Sequence, residues 1–143
     1  MNSEEPLRTP VLLLIYKRSE ELAKLLKVLA VVRPTKLYVA GDGAKEGIQL
    51  DSCQVEEARA LIETIDWPCV VTTLYRTENI GCRNAVSQAV SWFFRQEPEG
   101  IILEEDCIPS ISFFHYCTEL LERFRHDDRV FAISGDNFQP NDF

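Results

Sequence analysis

Three consecutive carboxylates, Glu104-Glu105-Asp106, directly follow the apolar run Ile101-Ile102-Leu103. A short hydrophobic run opened by Gly100 reads as a buried strand. Burying an ionised acid inside such a strand is costly, so the triplet is expected at the strand's exit. Residues of alternate parity point to opposite sides there, which lets Glu104 and Asp106 serve one surface and Glu105 the other. Neighbouring carboxylates repel, and a divalent cation or a hydrogen-bonded sugar would remove that repulsion. Hard oxygen ligands suit Mg²⁺ or Mn²⁺, which commonly take one or two carboxylates and fill their shell with water and phosphate oxygens. For the triplet alone, a solvated acidic turn is the competing reading.

Other residues with chemistry recur after other strand-like runs. Lys17 and Arg18 follow Val11–Tyr16, and Gly41-Asp42-Gly43 follows Lys36–Ala40. Cys69–Leu74 leads to Arg76 and then Asn79-Ile80-Gly81-Cys82-Arg83, and Val130–Ile133 leads to Ser134-Gly135-Asp136. Each has a plain structural explanation. Arg18, Arg76 and Arg83 could be solvated surface cations, Asp42 a turn residue, Asn79 a helix cap and Gly81 a tight-turn glycine. Their shared position at strand exits makes five separate explanations less economical. Basic groups, glycines and a metal-type acid group together suit an anionic ligand bridged by a cation.

The elements that must position these residues alternate between strand and helix. Ser19 is expected to cap a helix, with Glu20 and Glu21 in its first turn. Leu22, Leu25, Leu26 and Leu29 follow the i, i+3, i+4, i+7 spacing of a buried helix face. Asp51 or Ser52 is expected to start a second helix faced by Val55, Ala58, Ile62 and Ile65. A third carries Val86, Ala89, Val90 and Phe93, and a fourth Phe113, Phe114, Cys117, Leu120, Leu121 and Phe124. Near-continuous apolar strands alternating with helices predict an α/β fold, a Rossmann-like, mostly parallel sheet with helices on both faces. In such sheets the ligand crevice lies outside the carboxyl ends of the strands.

Composition removes several function classes. With 143 residues the chain is expected to form one domain over residues 1–143. A net charge of −8 argues against nucleic acid as a partner, and no apolar run reaches the length of a membrane span. The N-terminal Met-Asn-Ser-Glu-Glu-Pro lacks the regions of a signal peptide, so a cytoplasmic location is expected. Five cysteines without a C-x-x-C pair argue against a disulfide framework and a zinc site. Cys69 and Cys117 read as small core residues. Gly-x-Gly-x-x-Gly, P-loop and Gly-x-Ser-x-Gly patterns are absent. The two histidines, His115 and His126, fall on a late helix and its end. A nucleotide held through a metal–carboxylate motif is what remains.

The segment Ile101–Phe114, IILEEDCIPSISFF, resembles the strand, acid motif and helix of GT-A-fold glycosyltransferases, the Asp-x-Asp region, and most of all the N-acetylglucosaminyltransferase I type. Pro10–Ile15 followed by Arg18-Ser19 is similar to that family's first strand and nucleotide-contacting arginine. The resemblance implies a metal-dependent glycosyltransferase that uses a nucleotide-diphosphate sugar, a UDP-sugar above all, with Mn²⁺ or Mg²⁺. Asp106 would be the metal's protein ligand, Glu105 would accept from the ribose hydroxyls and Glu104 from the transferred sugar. Arg18 and Arg83 would face the nucleotide and its phosphates, and Asp42 would select the base. Asn79 is placed with them at the nucleotide. Two positions depart from the pattern: Glu105 stands where Asp is usual, and Lys17 where an acid commonly precedes the arginine.

Complete enzymes of this kind carry an acceptor-binding C-terminal half, which normally holds the general base. The chain resembles their nucleotide-binding half, so the catalytic base and the acceptor are unassigned. An uncovered apolar edge is expected to drive self-association into a homo-oligomer. A non-catalytic nucleotide-sugar-binding or regulatory fragment is the alternative function. A receiver-like domain would need an acidic pair where Lys17-Arg18 stands, and a sugar nucleotidyltransferase usually opens with a glycine-rich loop after strand one.

Overall fold

The computed structural model describes residues 5–135. Four strands, β1 (Val11–Ile15), β2 (Lys36–Gly41), β3 (Val70–Tyr75) and β4 (Ile101–Glu104), form one parallel sheet in the order β3-β2-β1-β4. Four helices alternate with them: α1 (Ser19–Val32), α2 (Gln49–Ile62), α3 (Cys82–Phe94) and α4 (Ile111–Phe124). β1 is flanked on both edges, by β2 and β4. Its alternate residues also enter cores on the two faces of the sheet, which explains its unbroken apolar sequence, since a strand covered on both faces has no polar side to show.

Two cores lie on the two sides of the sheet. Val11, Leu13 and Ile15 of β1, with Leu37, Val39, Ile101 and Leu103, pack against Leu22, Leu25 and Leu29 of α1, Ala58 and Ile62 of α2, and Phe114 and Cys117 of α4. On the other side, Leu12, Tyr38 and Ala40 meet Ala89 and Phe93 of α3. The helices therefore cover both faces. α1 and α2 carry the chain from β1 outward to β3, and α3 brings it back across to β4. A right-handed connection in the reverse direction must use the opposite face. The reversal leaves a switch point between the C-terminal ends of β1 and β4.

One expected strand does not form, and two helix starts move. Val130–Ile133 is not a strand, and Phe131 is fully exposed. α4 returns to the α1 face, from which a parallel strand added outside β4 would need a left-handed crossover. α1 starts at Ser19 with Arg18 as its N-cap, so Ser19 lies inside the helix. α2 starts at Gln49, two residues before Asp51, whose carboxylate is used elsewhere. All five cysteines are free; Cys117 is buried and Cys69 packs against the larger core. No helix among the described residues is long and apolar enough to cross a membrane.

Candidate functional site

A cavity of about 450 Å³ opens at the C-terminal edge of the sheet. β1 ends there in Tyr16, Lys17 and Arg18, β2 in Gly41 and Asp42, β3 leads in through Arg76 and Asn79, and β4 contributes Glu104, Glu105 and Asp106. Its inner wall is apolar, with Leu14, Ala40 and Leu74 of the sheet and Ala85, Val86 and Ala89 of α3. This is the switch-point crevice of an open α/β sheet. Gly81 and Cys82 bring the N-terminus of α3 to the wall, with no acidic residue in its first turn. The acid facing this positive end is Asp42, whose carboxylate accepts from the N–H groups of Ile80 and Gly81.

The β1–β4 seam is fastened by Glu105. Its carboxylate accepts from the backbone N–H of Tyr16 at 2.7 Å and of Lys17 at 3.4 Å, while its own N–H donates to the Leu14 carbonyl at 3.0 Å. Glu105 is 7% exposed and continues the buried series Ile101, Leu103, as parity requires. Glu104 and Asp106 are exposed. The Arg18 guanidinium donates to Asp106 Oδ2, joining the exits of β1 and β4 across the mouth of the cavity.

Asp42, 8% exposed, is equally committed. One oxygen accepts from the N–H of Gly43 at 3.0 Å and of Ile80 at 3.1 Å, and the other from Gly81 at 3.0 Å. It folds the loop before α3 over the end of β2. A side chain at Gly43 would collide with the Glu78 backbone at 2.4 Å, so the loop lies directly on that glycine. Asn79 is not the helix cap, which is Gly81. Its amide donates to the Gly43 carbonyl at 2.8 Å and to the Tyr16 hydroxyl at 3.2 Å.

A second acid anchors the other side of the β1 exit. Asp51, 4% exposed, accepts from Lys17 Nζ at 2.6 Å and from the Tyr16 hydroxyl at 2.8 Å. The hydrogen bond from Lys17, then that from Tyr16, holds its carboxyl below the usual range. Burial, then the bond to Asp51, pushes the Tyr16 phenol up to about 12. Arg59 of α2 ties β2 to β3, donating through Nη2 to the carbonyls of Asp42 at 3.1 Å and Arg76 at 2.7 Å. Its guanidinium lies 4.7 Å from the centroid of the Tyr75 ring.

Six of the seven residues expected at the site line the cavity: Arg18, Asp42, Asn79, Glu104, Glu105 and Asp106. Arg83 does not; it is exposed on α3, outside the lining. Arg76, on the loop after β3, supplies a cation to the wall instead. Ser134 and Gly135 line a different cavity, beside α4, and Asp136 lies outside the described residues. His115 and His126 are exposed and away from the site. Sequence reasoning missed Lys45, Asp51 and Arg59. Asp51 was visible only as a candidate helix start, and nothing local marks Arg59 as a cross-tie.

Among the described residues, no three acids, histidines or cysteines gather closely enough to hold a metal alone. With Glu105 occupied by backbone donors, Asp106 and the neighbouring Glu104 are the oxygen donors at the mouth. Such a set does not fit a structural metal. It fits a hard cation such as Mg²⁺ or Mn²⁺ that takes one or two carboxylates and completes its shell with water and phosphate oxygens. Compared with protein-family models, curated proteins and solved structures, the chain matches none.

Proposed function

We propose that the cavity binds a nucleoside-diphosphate sugar, a UDP-sugar above all, and that the chain is the donor-binding part of a metal-dependent glycosyltransferase. The observation that carries this reading is the meeting of Arg18 and Asp106 at the switch point, in the wall of the cavity. A diphosphate–cation pair needs one carboxylate for the cation and positive groups for the remaining phosphate charge. Lys17, Arg18, Lys45 and Arg76 are the cations on this wall, and Lys17 is held by Asp51. The apolar strip of Leu14, Ala40, Leu74 and Val86 offers a planar base a dry surface. In this reading Asp106 holds Mn²⁺ or Mg²⁺, which supplies Lewis-acid stabilisation of the leaving diphosphate. Arg18 and Arg76 stabilise its charge, and Glu104, exposed beside Asp106, accepts from the sugar. Asp42 and Glu105 act mainly through the backbone they hold, which shapes the base and ribose ends of the cavity.

Calorimetric titration of UDP with and without Mn²⁺, on the parent chain and Asp106→Ala, tests the proposal. Expected are Mn²⁺-dependent binding by the parent and its loss in the variant, with an unchanged thermal unfolding curve. UDP binding that is indifferent to Mn²⁺ and to Asp106 would overturn it. Turnover of a bound UDP-sugar, assayed as released UDP, separates a transferase from a binding protein.

A further inference from the structure

Arg18 and Asp106 lie 88 residues apart in sequence, yet the guanidinium of one donates to Oδ2 of the other. A divalent cation on Asp106 would share this carboxylate with a fixed positive charge. Of the other acids nearby, Glu105 is spent on the Tyr16 and Lys17 N–H groups and Asp51 on Lys17 Nζ, which leaves exposed Glu104 as the second carboxylate at the mouth. A carboxylate can take a cation on each oxygen, but the two charges then repel, so Arg18 on Oδ2 weakens binding of a metal to Asp106.

Arg18 is suited to leaving. Its backbone is fixed as the N-cap of α1, but its side chain is 59% exposed, so the guanidinium can turn without disturbing the helix. A guanidinium fork also binds phosphate oxygens at least as well as a single carboxylate oxygen. Resting on the donor-site reading above, we propose that Arg18 is a placeholder for the cation. It holds Asp106 until a diphosphate draws it away, so that cation and diphosphate bind as a coupled pair and the cation alone binds weakly. The coupling is reciprocal by linkage: Mn²⁺ raises diphosphate affinity by the same factor as diphosphate raises Mn²⁺ affinity.

The test is Mn²⁺ binding followed by electron paramagnetic resonance, which reads free ion directly, on the parent chain, Arg18→Gln and Arg18→Ala, each with and without UDP. Solution Mn²⁺–UDP chelation is subtracted with a protein-free control. Both variants are expected to bind Mn²⁺ alone about tenfold more tightly than the parent, since one positive charge beside the ion is gone. Adding Asp106→Asn to Arg18→Gln should erase that gain. The Mn²⁺–UDP coupling factor should shrink in both Arg18 variants. If the parent binds Mn²⁺ with UDP but the variants bind Mn²⁺ alone no more tightly, the placeholder is wrong and the donor-site reading stands. If the parent shows no Mn²⁺–UDP coupling, both fall together.

Discussion

Glu105 accepts a 2.7 Å hydrogen bond from the backbone N–H of Tyr16, closing the seam between β4 and β1 at the edge where the cavity opens. The middle acid of an otherwise exposed triplet thus serves the fold first. Removing it in Glu105→Ala strands two backbone donors, those of Tyr16 and Lys17. Loss of a charged acceptor from half-buried donors is expected to cost about 1–3 kcal/mol. Urea unfolding should show a lower midpoint at unchanged slope, the signature of lost stability rather than altered compactness. An unchanged midpoint would mean that the N–H groups find water and that the seam does not depend on Glu105.

The loop before α3 is held by Asp42 from one side and requires glycine on the other. Gly81 has φ 82° and ψ 151°, a conformation nearly closed to residues with a Cβ, and its N–H donates to Asp42 Oδ2. Gly81→Ala is therefore expected to destabilise by about 1–3 kcal/mol, although nothing lies within 4 Å of the added methyl group. The loss would come from backbone strain, not collision. Asp42→Asn should produce a comparable loss, because the amide keeps one acceptor oxygen where the carboxylate offers two. If Gly81→Ala unfolds at the parent's midpoint, the loop relaxes freely and the Asp42 clamp is weaker than its geometry.

Much of this fold was legible in the sequence, and the reasons are local. Val11–Ile15 is apolar throughout because it is the covered inner strand, and Leu22, Leu25 and Leu29 sit at helical spacing because one side of α1 meets the sheet. The acid triplet was placed at a strand exit by the cost of burying charge, and it is there. What escaped was long-range. Glu105 to Tyr16, Asp42 to Gly81 and Arg59 to Arg76 are contacts from side chains to backbone groups. A backbone N–H or carbonyl leaves no mark in the residue type that carries it. The same gap explains the fifth strand. Val130–Ile133 meets the local rule for a strand, but strand formation needs a neighbour, and α4 delivers the chain to the wrong face for one.

Two phenols should set the alkaline limit of stability. Tyr38, 8% exposed and edge-on to Trp92 and Phe93, donates to Glu97 at 2.6 Å. Burial, then the bond and charge of Glu97, pushes it up to about 12. Tyr16 is pushed up to about 12 by burial and Asp51. An ordinary phenol titrates near about 10, so the folded chain holds these protons more tightly than the unfolded one. Their contribution is fully present below about pH 10 and is lost as pH rises through the folded values. The urea midpoint should fall steeply over that window. Tyr38→Phe should flatten the fall and lower the neutral-pH stability by about 1 kcal/mol, the value of one hydrogen bond. An equally steep fall in the Tyr38→Phe, Tyr16→Phe double variant would assign the alkaline limit to other groups.

Arg59 offers the last prediction, because its two contacts ask different things of a cation. Nη2 bridges the carbonyls of Asp42 and Arg76, and the flat guanidinium lies over Tyr75. A lysine keeps the charge but has neither the planar fork nor the same stacking. If charge alone mattered, Arg59→Lys would behave as the parent and Arg59→Ala would not. If the bridge matters, both should lose stability, by about 1–2 kcal/mol for a charged hydrogen bond and a partly exposed cation–π contact. The exits of β2 and β3 should also spread apart. Because those exits carry Asp42 and Arg76 into the cavity, UDP affinity in the presence of Mn²⁺ should fall in both variants, with Mn²⁺ dependence retained, since Asp106 is on the other side of the site. Thermal unfolding and calorimetry on the two variants separate these outcomes. A lysine variant equal to the parent in both would reduce Arg59 to a surface cation.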